Sequence, residues 1–112
     1  MTGNYSAETV SALVALGGRE WKAVNQHRVY FNLDACAAMT GLSVGYYKTG
    51  NVSCATLDGK KVSNSEARRI LRNIGSTKTY VDLRTGAIEA ATDLIKSKIK
   101  TILYQQMNAR ET

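Results

Sequence analysis

From Thr56 to Leu83 the chain reads TLDGKKVSNSEARRILRNIGSTKTYVDL. Asp58-Gly59 is the strongest two-residue turn signal in the sequence, because both residues tolerate the positive φ of a tight hairpin. It predicts a strand ending at Leu57 and another over Lys60 to Val62. Ser63 and Glu66 then make an S-x-x-E capping box. Ala67, Ile70, Leu71 and Ile74 follow on one helical face, and Gly75 stops the helix. Thr77 to Leu83 reads as a strand with Val81 and Leu83 facing inward. Hairpin, helix and strand within 28 residues indicate antiparallel strands interleaved with helices, the signature of an α+β fold.

The rest of the chain repeats that alternation. Ser6 caps a first helix carrying Val10, Leu13 and Val14, which Gly17-Gly18 ends. Arg19 to Val24 and His27 to Asn32 form a half-buried hairpin around Asn25-Gln26, with Trp21 and Ala23 alternating on one strand and Val29 and Phe31 on the other. Asn32 caps a helix from Leu33 to about Met39, closed by Gly41, and a second hairpin spans Ser43 to Leu57 around Thr49-Gly50-Asn51. After a turn at Thr85-Gly86, Ile88, Ala91, Ile95, Ile99 and Ile102 predict one long terminal helix from about Ala87 to Ala109. The expected architecture is an antiparallel sheet of short hairpins with helices packed on one side, in a single domain over residues 1–112.

A helix-turn-helix competes for Leu33 to Tyr47, LDACAAMTGLSVGYY. Its second helix would contain Gly45 and stop at Lys48-Thr49-Gly50 after little more than a turn, so the hairpin is favoured.

With 112 residues, 44% hydrophobic and 21% charged, the chain is long enough for one core and far from a disordered composition. MTGNYSAETV has no basic residue ahead of its first apolar ones, and no apolar run is long enough for a membrane span, so a cytoplasmic protein is expected. Cys36 and Cys54 lack CxxC spacing; two buried thiols are expected, with a disulfide as the alternative. The single histidine, His27, reads as an exposed turn residue. No phosphate-binding glycine motif occurs, and Glu89 with Asp93 reads as part of a solvated helix face. Neither enzyme activity, metal nor cofactor is expected.

The positive signal is charge. Fifteen Lys and Arg oppose nine Asp and Glu, a formal charge of +6. Between Lys60 and Arg84, seven basic residues (Lys60, Lys61, Arg68, Arg69, Arg72, Lys78 and Arg84) stand against Glu66 and Asp82. Clustering raises the local potential and favours an anionic partner. Arg68, Arg69 and Arg72 fall about 100° to 200° around the helix from Ala67, opposite the apolar stripe. Their planar forks suit phosphate or carboxylate, and Tyr46, Tyr47 and Tyr80 offer rings for stacking. A solvated basic face that only aids solubility is the plainer reading of the same residues.

GGREWKAVNQHRVYFN (Gly17 to Asn32) and YYKTGNVSCATLDGKKVSNSEARRIL (Tyr46 to Leu71) resemble stretches of small phage, prophage and mobile-element proteins, a class that includes anti-CRISPR inhibitors. The resemblance implies stoichiometric inhibition of a nucleic-acid-handling host protein or ribonucleoprotein complex, without catalytic residues. The positive charge departs from the acidic inhibitors that mimic DNA. Direct binding of DNA or RNA by a regulatory protein is the alternative. The terminal apolar stripe, broadened by Leu94, Leu103 and Met107, leaves monomer and homodimer both open.

Overall fold

The computed structural model describes residues 5–111, with side chains as far as residue 105. The elements run α1 (Ala7–Ala15), β1 (Gly18–Ala23), β2 (Gln26–Phe31), α2 (Leu33–Met39), β3 (Leu42–Tyr46), β4 (Val52–Leu57) and β5 (Lys60–Lys61). They continue α3 (Asn64–Gly75), β6 (Thr79–Asp82), β7 (Ile88–Glu89) and α4 (Asp93–Glu111). The fold is α+β, with four helices and two antiparallel sheets among the described residues.

The strands divide between a four-stranded sheet, in the order β1-β2-β6-β7, and a three-stranded sheet, β3-β4-β5. Local turn chemistry builds both. Ala23 pairs with Gln26, so the first hairpin turns on Val24-Asn25, one residue earlier than the sequence suggested. Asp58 and Gly59 have φ of 52° and 82°, as a primed hairpin turn requires. Leu42 to Tyr46 is strand β3 paired with β4, so the helix-turn-helix is absent.

Caps set the helix starts. Ser6, Asn32 and Ser63 each accept a bond from the backbone N–H three residues on. The expected terminal helix from Ala87 is corrected: Ile88 pairs with Val81 in β7, and the Thr92 hydroxyl accepts from the Ile95 N–H where α4 begins. Glu89 therefore lies in a strand and shares no helix face with Asp93. Met107 lies in α4 beyond the described side chains.

Two apolar cores lie side by side. The larger joins Leu13 of α1, Val29 and Phe31 of β2, Val81 and Leu83, and Ile95, Ile99 and Leu103 of α4. The smaller joins Leu42, Val52, Ala55 and Ala67 under the second sheet. α2 serves both, with Ala35, Cys36 and Met39 in the first and Ala37 in the second. That explains its small-residue sequence, because a helix buried on more than one side has no polar stripe and little room. Ile70 of α3 packs against both cores.

Candidate functional site

Strand alternation fixes which side chains leave the four-stranded sheet on the face away from the larger core. Val29 and Phe31 of β2 and Thr79 and Val81 of β6 are buried. The alternate residues Arg28, Tyr30, Tyr80 and Asp82 therefore point the other way, and register places Tyr30 opposite Tyr80 and Arg28 opposite Asp82. On β1, Arg19 lies opposite Tyr30 and Trp21 opposite Arg28. None of these outward residues belongs to either core. Trp21 is 53% exposed, where the sequence suggested a half-buried ring.

The outward residues contact one another in an ordered way. The Tyr30 and Tyr80 rings lie 5.3 Å apart at 44°. The Arg28 guanidinium sits 4.6 Å above the Tyr80 ring, and its Nη1 donates to the Tyr30 hydroxyl at 3.1 Å. The Lys78 ammonium lies 5.8 Å from the Tyr30 ring. Each ring thus carries a cation within cation–π range. The Tyr30 hydroxyl, with Tyr80 and Asp82, raises the Arg28 pKa above its ordinary value, so the guanidinium is a fixed positive charge. Its Nε, 4.0 Å from Asp82 Oδ2, has no hydrogen-bond partner among the described residues. Asp82 is itself engaged at the following turn, where Oδ1 accepts from the backbone N–H groups of Arg84 and Thr85. Arg19 and Lys78 are exposed cations at the margin.

The seven basic residues of the Lys60 to Arg84 segment separate in space. Lys60 and Lys61 form β5, at the edge of the smaller sheet. Arg68, Arg69 and Arg72 are exposed on α3, opposite its buried Ala67 and Ile74. Arg69 donates through Nε to Glu66 at 3.1 Å, which lowers the Glu66 pKa and raises its own. Arg68 lies 3.4 Å from the Ser65 hydroxyl. Arg84 ties the β6–β7 turn to the first hairpin by donating to the Asn25 carbonyl at 2.7 Å. Lys78 alone of the seven joins the tyrosine cluster. Tyr46 and Tyr47 are both exposed, but they sit at the end of β3 and its following loop, away from that cluster. Tyr46 borders a groove with Asp34, Ala37 and Leu71 that contains no basic residue.

Two further expectations change. His27 is not an exposed turn residue: its side chain is 18% exposed, and Nε2 lies 2.6 Å from Glu20 Oε2. Cys36 is a buried thiol as expected, whereas Cys54 is exposed; neither is in a disulfide. Burial pushes the Cys36 pKa up. Among the described residues no cluster of three or more potential metal ligands occurs, and no helix is long and apolar enough to cross a membrane.

The residues that sequence reasoning missed are Arg19, Trp21, Arg28 and Tyr30. Their signal was present as the outward half of the alternation in REWKA and HRVYF. The chain matches no family model, no curated protein and no solved structure.

Proposed function

We propose that this is a non-enzymatic nucleic-acid-binding protein that takes a single strand of RNA or DNA on the open face of the four-stranded sheet. The observation that carries this reading is the cluster of Tyr30, Tyr80 and Arg28 beside exposed Trp21, on a face outside both cores. Bases stack on aromatic rings and guanidinium planes whatever their identity, while flanking cations hold the phosphates. Trp21 and Tyr80 are separated by one intervening strand and offset by two residues along it, about 12 Å in all, a span that suits two bases of an extended strand. Arg19 and Lys78 supply the phosphate contacts.

The test is fluorescence anisotropy with labelled single-stranded RNA and DNA across a salt series. The two phosphate contacts give a log–log slope of about −1.4, since each contributes about −0.7 on a single strand. Replacing Arg19 and Lys78 by alanine lowers affinity and makes the slope shallower by about 1.4. Absence of binding at low salt, or a slope indifferent to these substitutions, overturns the reading.

A second reading, stoichiometric inhibition of a nucleic-acid-handling host complex, is favoured by a different observation: Arg68 and Arg72 stand exposed on α3, and Lys60 and Lys61 are exposed on the strand that precedes it in the chain. It fits the likeness to phage and mobile-element proteins. Affinity capture separates the two, because a protein partner lost on triple substitution of Arg68, Arg69 and Arg72 by alanine, but kept after nuclease treatment, belongs to inhibition. Either activity belongs in the cytoplasm, where the Cys36 and Cys54 thiols stay reduced.

A further inference from the structure

We propose that β1 is a pairing edge for a second copy of this chain, joined antiparallel about a twofold axis at Trp21. The Leu83 N–H donates to the His27 carbonyl at 2.8 Å, so residues 27, 29 and 31 turn their hydrogen-bonding groups towards β6. Gln26, Arg28 and Tyr30 turn theirs towards β1, where their register partners are Ala23, Trp21 and Arg19. Gly18, Glu20 and Lys22 are left with N–H and C=O groups directed outward, at the end of the strand order. Among the described residues no other strand pairs with them.

This edge is unusually bare. Arg19 to Ala23 are all exposed, so the strand is open on both faces as well as along its rim. A run of unpaired backbone groups in an extended strand is a template for another strand. Side-chain charge then selects the partner and the register. Centred on Trp21, the pairing sets Glu20 opposite Lys22 of the second copy and, by symmetry, Lys22 opposite its Glu20. Both are hydrogen-bonded pairs, since these residues carry the outward backbone groups. Sliding by two residues in one direction brings Glu20 onto Glu20, and in the other brings Lys22 onto Lys22. A slide of one residue sets outward groups against inward ones and loses the bonds.

On the open face the same register brings the two Trp21 rings together at a non-hydrogen-bonded site, where side chains approach most closely. It also places Arg19 beside Ala23 of the second copy. The product is one eight-stranded sheet whose two tyrosine–arginine clusters flank a central tryptophan pair. The association does not depend on any nucleic acid.

Light scattering after size exclusion, from micromolar to millimolar protein in low salt, gives a concentration-dependent dimer, and Trp21 emission shifts to shorter wavelength as it forms. Glu20→Lys and Lys22→Glu each set like charges opposite and weaken dimerisation by about tenfold or more. The double exchange E20K/K22E restores unlike pairs and recovers the dimer. Because Glu20 also contacts His27, circular dichroism of each variant verifies folding, and Lys22→Glu tests the edge with that contact intact. A wild-type chain that stays monomeric throughout, a dimer indifferent to single exchanges, or a dimer lost in the singles and not recovered in the double each overturns the proposal. Binding of a short oligonucleotide by the folded, monomeric Lys22→Glu variant separates this outcome from failure of the nucleic-acid reading.

Discussion

Residue by residue, environment more than identity decides chemistry here, and the two cysteines show it. Cys36 is buried beneath β2, where its Sγ faces the Phe31 carbonyl at 3.8 Å, and burial raises its pKa by penalising the thiolate. Cys54 is exposed on β4. At mildly alkaline pH a thiol reagent should therefore label Cys54 rapidly and Cys36 only at the rate of unfolding; rapid labelling of both would contradict the burial. The raised pKa has a thermodynamic counterpart. A thiol held neutral in the fold stabilises it below the unfolded-chain value, about 8.5, and that contribution is lost as pH rises through the folded-state value. Denaturation midpoints should fall as pH rises from about 8.5 towards the folded-state value, less steeply in Cys36→Ala. Arg28 is a contrasting case, a cation whose charge is reinforced by the Tyr30 hydroxyl and the Tyr80 ring. Gly18 shows a third kind of constraint: a Cβ there would collide with the Val29 side chain and come within 2.9 Å of Phe31, which keeps the entry to β1 tight against the core.

Within elements, caps and turns were legible because their causes are local. The Ser63 hydroxyl accepts from the Glu66 N–H at 3.1 Å, as the S-x-x-E pattern indicated. The reciprocal half of that box is not made, since the Glu66 carboxylate turns to Arg69. Ser63→Ala should accordingly cost about 1 kcal/mol in chemical denaturation. Glu66→Ala should have a small effect that disappears at high salt, because it removes only an exposed ion pair. The start of α4 was not legible. Ile88 falls at helical spacing from Ala91 and Ile95, and only the long-range pairing of Ile88 with Val81 removes it from the helix. The candidate site was half legible for the same reason. Alternation separates Val29 and Phe31 from Arg28 and Tyr30, but nothing local places β6 beside β2, which brings Tyr80 and Lys78 to Tyr30. Nor does a charge count along the chain reveal that Arg84 is occupied with Asn25 on the first hairpin.

Across the whole molecule, the two sheets are coupled through α2 and α3, since Ile74 lies in the larger core, Ala67 in the smaller and Ile70 against both. Unfolding should be one cooperative transition, with coincident midpoints by Trp21 fluorescence and by amide exchange in the second sheet. Ile74→Ala should lower stability by about 2–5 kcal/mol while leaving those midpoints coincident; separated midpoints would mean that the sheets melt independently. The order of pairing carries a consequence for a cut chain. A single break at Gly50, on an exposed turn where no atom lies within 4 Å of an added Cβ, would leave β1, β2 and β3 on one fragment and β4 to β7 on the other. The two seams, β2 against β6 and β3 against β4, would both join one fragment to the other. Neither piece could complete a sheet alone, so the protein is built as a ready-made split pair whose halves regain their shape only by finding each other.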